Sequence, residues 1–255
     1  MPGNFCVKKR ILELIMGILL LIGLYTLSQE AAQTMESLKN TKPLIMIDCG
    51  HGGEDPGMIG VDNLKEKDIN LAISLKLRDC LKSAGYQVVM TREKDQGLYD
   101  AESSNKKAQD MQRRCEMIAE YEPMLTVSIH QNSYPDSSVR GPQVFYYEDS
   151  LEGEKLAVCI QDKLNEKLEI ERPRVPKGNT SYYLLKKSKG ILNIVECGFL
   201  TNPEEAKLLT EESYQKKVVQ AITDGICTYI NQKEGSQKSH RNYDFFYVLC
   251  YSRDE

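Results

Sequence analysis

Histidine is scarce in this chain: three occur in 255 residues, at positions 51, 130 and 240. Two of them stand where an apolar run ends. LIMID (44–48) leads through Cys49 and Gly50 to His51, and MLTVSIH (124–130) closes on His130. A third run, ILNIVE (191–196), closes on Glu196, while Glu66 opens the segment EKDINL. Two imidazoles and one carboxylate leave an open fourth position on a tetrahedral zinc ion, which is the ligand set of a hydrolytic site. Such an ion brings the pKa of its water to about 7, and a carboxylate outside the ligand set can then move protons. Glu196 suits that second part. The spacings, 15 residues from His51 to Glu66 and 64 more to His130, form no compact motif. On spacing alone, His51 and His130 are also readable as loop histidines hydrogen-bonded to backbone.

The elements that must position these residues alternate between strand and helix. After the strand at 44–48, apolar residues recur at helical spacing from Lys67 to Ala84, and YQVVMT (86–91) reads as a strand. A helix follows at about 105–121, then the strand 124–130 and a strand at PQVFYY (142–147). Asp149 and Glu152 suggest a capping box for a helix over 150–168. YYLL (182–185) and ILNIVEC (191–197) read as strands. Asn202-Pro203-Glu204-Glu205 is a strong helix start, and a last helix covers about 213–231. The pattern predicts one α/β domain over 42–232, a mostly parallel twisted sheet with helices on both faces. Ligands bind beyond the carboxyl ends of such strands, so His51, His130 and Glu196 converge if their strands are neighbours.

Composition narrows the function further. A hydrophobic fraction of 41% with 27% charged residues excludes disordered and fibrous classes. The net charge of −4 argues against a nucleic-acid partner. Residues 11–27 form a mostly apolar run behind a basic flank (1–10) containing Lys8, Lys9 and Arg10. That polarity keeps the flank in the cytoplasm and exports the rest to the extracytoplasmic face of a membrane. An uncleaved anchor is favoured over a cleaved signal, with 28–41 as a polar linker; residues 233–255 have no assigned role. The eight cysteines include no CxxC pair, and Cys49, Cys80 and Cys197, inside apolar-periodic segments, read as buried thiols rather than parts of a disulfide framework.

The stretches IDCGHGGEDPG, EKDINL, SIHQN and IVECGFLTN resemble, in order, four signature segments of the zinc-dependent N-acetylmuramoyl-L-alanine amidases of the Amidase_3 family. The resemblance covers about 42–230. It implies one zinc ion on His51, Glu66 and His130, with Glu196 as the catalytic acid–base residue. It also implies hydrolysis of the amide between N-acetylmuramic acid and L-alanine in peptidoglycan. The lack of a wall-binding module resembles the sporulation-specific type, which prepares cortex peptidoglycan for muramic-δ-lactam formation. Two other readings compete: a zinc peptidase acting on stem-peptide bonds, and a non-catalytic wall-binding protein. The need for an accessory protein is not fixed by the sequence.

Other residues receive blander expectations. Asp55 is read as a turn cap or as support for a ligand imidazole, and Asn132 as a substrate or loop contact. Arg92 is read as pairing with substrate or with a structural carboxylate. Arg113-Arg114 and Lys186-Lys187 are read as solvated charges, Tyr182-Tyr183 as strand packing, and His240 as a solvated histidine.

Overall fold

The computed structural model describes the backbone of residues 3–40 and 42–251, and the side chains of 13–32 and 42–235. The chain divides into two units, residues 1–42 and 43–255. The first holds one helix, α1 (Gly3–Asn40), so the stretch expected to be a polar linker is helical. Within it Glu13–Ala32 has a mean hydropathy of 1.6 and no buried residue, over a length sufficient to cross a bilayer. The basic flank's side chains lie outside the described residues.

In the second unit the elements follow as β1 (Leu44–Cys49), α2 (Glu66–Ser83), β2 (Gln87–Met90), α3 (Lys106–Tyr121), β3 (Leu125–Asn132) and β4 (Gln143–Tyr147). They continue as α4 (Leu151–Lys167), β5 (Lys177–Asn179), α5 (Tyr183–Lys187), β6 (Leu192–Phe199), α6 (Pro203–Thr210) and α7 (Glu212–Tyr251). Six strands form one sheet in the order β2-β1-β3-β6-β4-β5. The first four strands in that order run parallel, and β4 joins β6 antiparallel with β5 parallel to β4. The sheet is mostly parallel, as the alternation of elements predicts.

Burial explains the layers. Every residue of β6 is buried, and β3 is buried through Ile129, as central strands covered on both faces must be. Ile69, Ile73, Leu77 and Leu81 of α2 form one stripe of a core that also holds Leu156 and Ile160 of α4 and Ile222 and Ile226 of α7. On the opposite face Ile118 of α3 and Leu184 and Leu185 of α5 meet Met46, Phe145 and Ile194 of the sheet. Asn202 caps α6 as its sequence predicts, its Oδ1 accepting from Glu205 N at 2.8 Å with Pro203 in the first turn.

Three local expectations fail. The α4 cap is Ser150, whose Oγ accepts from Gly153 N at 3.0 Å, because Ser150 and not Asp149 holds the extended cap conformation. The run at 182–185 is not a strand: α5 begins at Tyr183. A helical turn puts the consecutive Leu184 and Leu185 into the core, which strand alternation would forbid. The three-residue edge strand β5, Lys-Gly-Asn, carries no apolar signal and goes unforeseen. The tail after 231 continues α7 to Tyr251, and the side chains of His240 and Cys250 lie outside the described residues. All six cysteines with described side chains are free thiols; Cys49 and Cys197 are buried as expected, whereas Cys80 is only half-buried.

Candidate metal centre

Topology brings the predicted residues together. Parallel pairing of β1 with β3 and of β3 with β6 sets their carboxyl ends side by side, with His130 opposite Glu196 in the ladder. His51 follows β1 across Gly50, and Glu66 is the first residue of α2. One side-chain donor atom from each of His51, Glu66 and His130 lies within 4.8 Å of the others. Glu66 is the hub: its Oε1 is 2.9 Å from His130 Nδ1 and its Oε2 is 3.1 Å from His51 Nε2. Backbone N–H groups of Gln131 and Met58 donate to those same oxygens at 3.1 and 2.8 Å. Asn70 Nδ2 donates to Oε1 at 3.3 Å, which pins the carboxylate further.

The backbone around His51 is shaped for this. His51 itself takes φ +59°, the left-handed region that side chains other than glycine enter at a cost. A Cβ at Gly50 would sit 2.4 Å from the His130 ring, so only glycine admits that imidazole. At Gly57, where φ is +67°, a Cβ would fall 2.5 Å from Glu66 Oε2. Asp55 Oδ2 meets His51 Nδ1 at 2.8 Å, leaving Nε2 as the nitrogen free to ligate. Asp55 also accepts from Gly57 N at 3.0 Å, so it both supports the imidazole and caps the turn.

The electrostatics of the cluster suit a bound cation. Burial lowers the His51 pKa, but hydrogen bonds to Asp55 and Glu66 outweigh it and lift the imidazole to about 9. Burial raises Glu66, yet His130 and His51 hold its carboxyl far below the ordinary carboxylate range. Glu196 goes the other way. It is 8% exposed, its Oε2 has no hydrogen-bond partner, and burial lifts it to about 7. Two clustered imidazoles, a carboxylate hub and an unpartnered buried carboxylate beside them fit a divalent ion and a proton-transfer group.

Below the cluster lies a pair that the sequence reading missed. Arg114 is 2% exposed and not a solvated charge. Its Nη1 reaches Asp48 Oδ1 at 2.5 Å and donates to Cys49 O at 2.7 Å. Its Nη2 donates to His51 O at 3.0 Å, and its Nε reaches Asp110 at 2.6 Å. Asp48 also accepts from Ser128 at 2.6 Å and Thr91 at 3.0 Å. A signal was available: Arg114 shares the α3 stripe of Met111, Cys115 and Ile118, and Asp48 interrupts an apolar strand. Arg92 pairs with neither substrate nor carboxylate; it is buried and donates to the carbonyls of Cys49, Gly50 and Lys67. Asn132 Oδ1 accepts from Ser133 N at 2.8 Å, a loop-fixing contact.

The cluster opens into a cavity of about 400 Å3. Glu196 forms part of its wall, Lys107 and Met111 of α3 line one side, and Tyr182 and Tyr183 line another. Tyr182 packs edge-on against Phe145 at 5.3 Å, which places this pair at the cavity rather than within a strand.

Residues 45–228 match the Amidase_3 family, described as N-acetylmuramoyl-L-alanine amidase. The chain belongs to that family. The amidase is 37% identical to the germination-specific N-acetylmuramoyl-L-alanine amidase of Bacillus subtilis (strain 168) over 231 residues. That alignment covers 89% of this chain and 97% of the relative. Its fold matches the CwlD amidase from Clostridioides difficile, solved in complex with the GerS lipoprotein, with a TM-score of 0.72 and 40% identity. That match covers 74% of this chain and 99% of the other. AmiC2 of Nostoc punctiforme matches with a TM-score of 0.64 and 31% identity, covering 74% and 97% of the two chains. The amidase hydrolyses peptidoglycan, and His51, Glu66 and His130 bring together three donor groups of the kind that hold a metal ion.

Proposed function

We propose that this amidase is zinc-dependent, that His51 Nε2, Glu66 and His130 Nδ1 hold the ion, and that Glu196 is the catalytic acid–base residue. The single observation that carries the assignment is the convergence of those three donors within 4.8 Å. When bound, zinc supplies Lewis acidity, polarising the lactyl carbonyl and lowering the pKa of a coordinated water to about 7. Glu196, with a free oxygen and a pKa of about 7, takes a proton from the attacking water. It then delivers that proton to the alanine nitrogen as the C–N bond breaks. The products are the lactyl carboxylate of muramic acid and a peptide with a free amino terminus. Asp55 fixes the tautomer of His51, and Asn70 orients Glu66.

The finer biological reading follows from its relatives. Similarity to a germination-specific amidase and to CwlD supports spore cortex peptidoglycan as substrate, prepared for muramic-δ-lactam formation. The exposed apolar helix and the basic residues before it support an anchor with residues 42–232 on the extracytoplasmic side. A lipoprotein partner of the kind captured with the Clostridioides difficile relative suits an enzyme held at that face. The test is metal content together with product identity. The purified chain should hold one zinc and release peptides with amino-terminal alanine while leaving muramic acid intact. Internal stem-peptide fragments would instead indicate the peptidase. Glu196→Gln should keep its zinc and lose at least about 100-fold in turnover; substantial residual activity would remove Glu196 from its role.

A further inference from the structure

Lys107 differs from the cations around it. Lys106 is engaged by Glu54 at 2.6 Å, and Arg113 by Asp100 at 2.6 Å. Arg114 is held by Asp48 and Asp110. Lys107 is exposed, lines the reaction cavity, and forms no ion pair within 4 Å among the described residues. Its charge is felt at Asp55, whose carboxyl it helps to hold low after the larger effect of His51.

The position is also locally unfavourable. Lys106 and Lys107 are the first two residues of α3, and its first turn has no acidic residue. Unpaired N–H groups there already carry roughly half a positive charge, so Asp or Glu is the stabilising choice. Among the described residues no ion pair offsets that local cost, and the Lys107 charge acts only at longer range on Asp55. Its free ammonium stands on the cavity wall, where Arg114 of the same lining is already paired with Asp48 and Asp110.

The substrate supplies the complementary anion. On the sugar side of the scissile amide the lactyl carboxyl is consumed in the bond, and no charge remains. On the peptide side the residue after alanine carries the first free carboxylate. We propose that Lys107 is a specificity-determining residue that binds the free α-carboxylate of the second stem-peptide residue. The amidase therefore discriminates between a carboxylate and a carboxamide at that position. This rests on the amidase reading of the site.

Two soluble compounds test it, N-acetylmuramoyl-L-alanyl-D-isoglutamate and its isoglutamine counterpart, given to the zinc-loaded full chain in detergent. Wild type should prefer the acid by roughly fivefold in kcat/KM, expressed in KM, as expected of one partly solvated ion pair. Lys107→Met should bring the ratio to one, Lys107→Arg should keep it, and Lys107→Glu should reverse it. Neither Lys107→Met nor Lys107→Glu should melt below wild type, because each removes a cation from a helix N-terminus. A Lys107→Met enzyme that keeps the wild-type preference, or a wild type with none, overturns the assignment. Wild type that releases the alanyl dipeptide from neither compound overturns the reading of the reaction, and the proposal with it.

Discussion

Glu196 pairs in register with His130 yet leaves one oxygen without a partner, and that has a thermodynamic signature independent of turnover. In the metal-free chain burial lifts it from 4.5 to about 7, and the pull of His130 offsets this only in part. Between those pH values the folded state keeps a proton that the unfolded chain has released. The stability from this group is therefore full below its unfolded pKa and is lost as pH rises through about 7. Glu196→Gln removes the titration. Urea denaturation with a chelator present should show the variant gaining about 3 kcal/mol over wild type at pH 8 and nothing at pH 4. A gain that does not change with pH would mean that packing, not ionisation, sets the difference. The convergence of the four candidate residues is legible because His51, His130 and Glu196 follow or end apolar strands and Glu66 opens a helix, and parallel strands deliver such ends to one edge.

At the scale of elements, what the sequence hid is the tie between α3 and the end of β1. Charged residues are ordinarily solvated, so Arg114 reads as surface until the chain folds α3 over β1 and buries it against Asp48. The long elements were legible for the opposite reason. Ile69, Ile73, Leu77 and Leu81 repeat at one helical face, and β6 is apolar up to Glu196 except for Asn193. The short ones were not, since a run such as YYLL satisfies either period and only the core position of Leu184 and Leu185 decides between them. Burial raises the Asp48 pKa, but Arg114, Ser128 and His130 together more than compensate, so the carboxyl sits below its ordinary 3.8. Arg114→Met leaves a buried anion without its cation and should cost about 3–5 kcal/mol. Asp48 in that variant is pushed upward by burial, so it takes up a proton on folding. The deficit should therefore shrink as pH falls toward 4, which thermal melts from pH 8 to pH 4 measure. A deficit constant across that range would show that lost packing, not the stranded carboxylate, is the cost.

At the scale of the whole molecule, the reaction cavity and the membrane-length apolar helix belong to different units. The sheet, the cores on its two faces and every residue lining the reaction cavity lie between Leu44 and Ile230. The exposed segment Glu13–Ala32 supplies 20 residues, and at 1.5 Å per residue a helix of about 20 residues matches a hydrocarbon layer of about 30 Å. No residue of Glu13–Ala32 is buried, and the cores of the catalytic unit are formed by residues from Ile45 to Ile230. Deleting residues 1–42 should therefore leave the melting temperature and the kcat/KM on a soluble muramoyl peptide unchanged. Sedimentation with membranes should be lost at the same time, because the helix is the only membrane-length apolar segment among the described residues. A truncated chain that aggregates or loses zinc would show instead that the helix completes the enzyme. One that folds, cleaves soluble substrate and still pellets with membranes would place the attachment on the catalytic unit itself. The expected pairing, full catalysis on small substrates with free solubility, makes residues 1–42 a determinant of where peptidoglycan is cut and not of how.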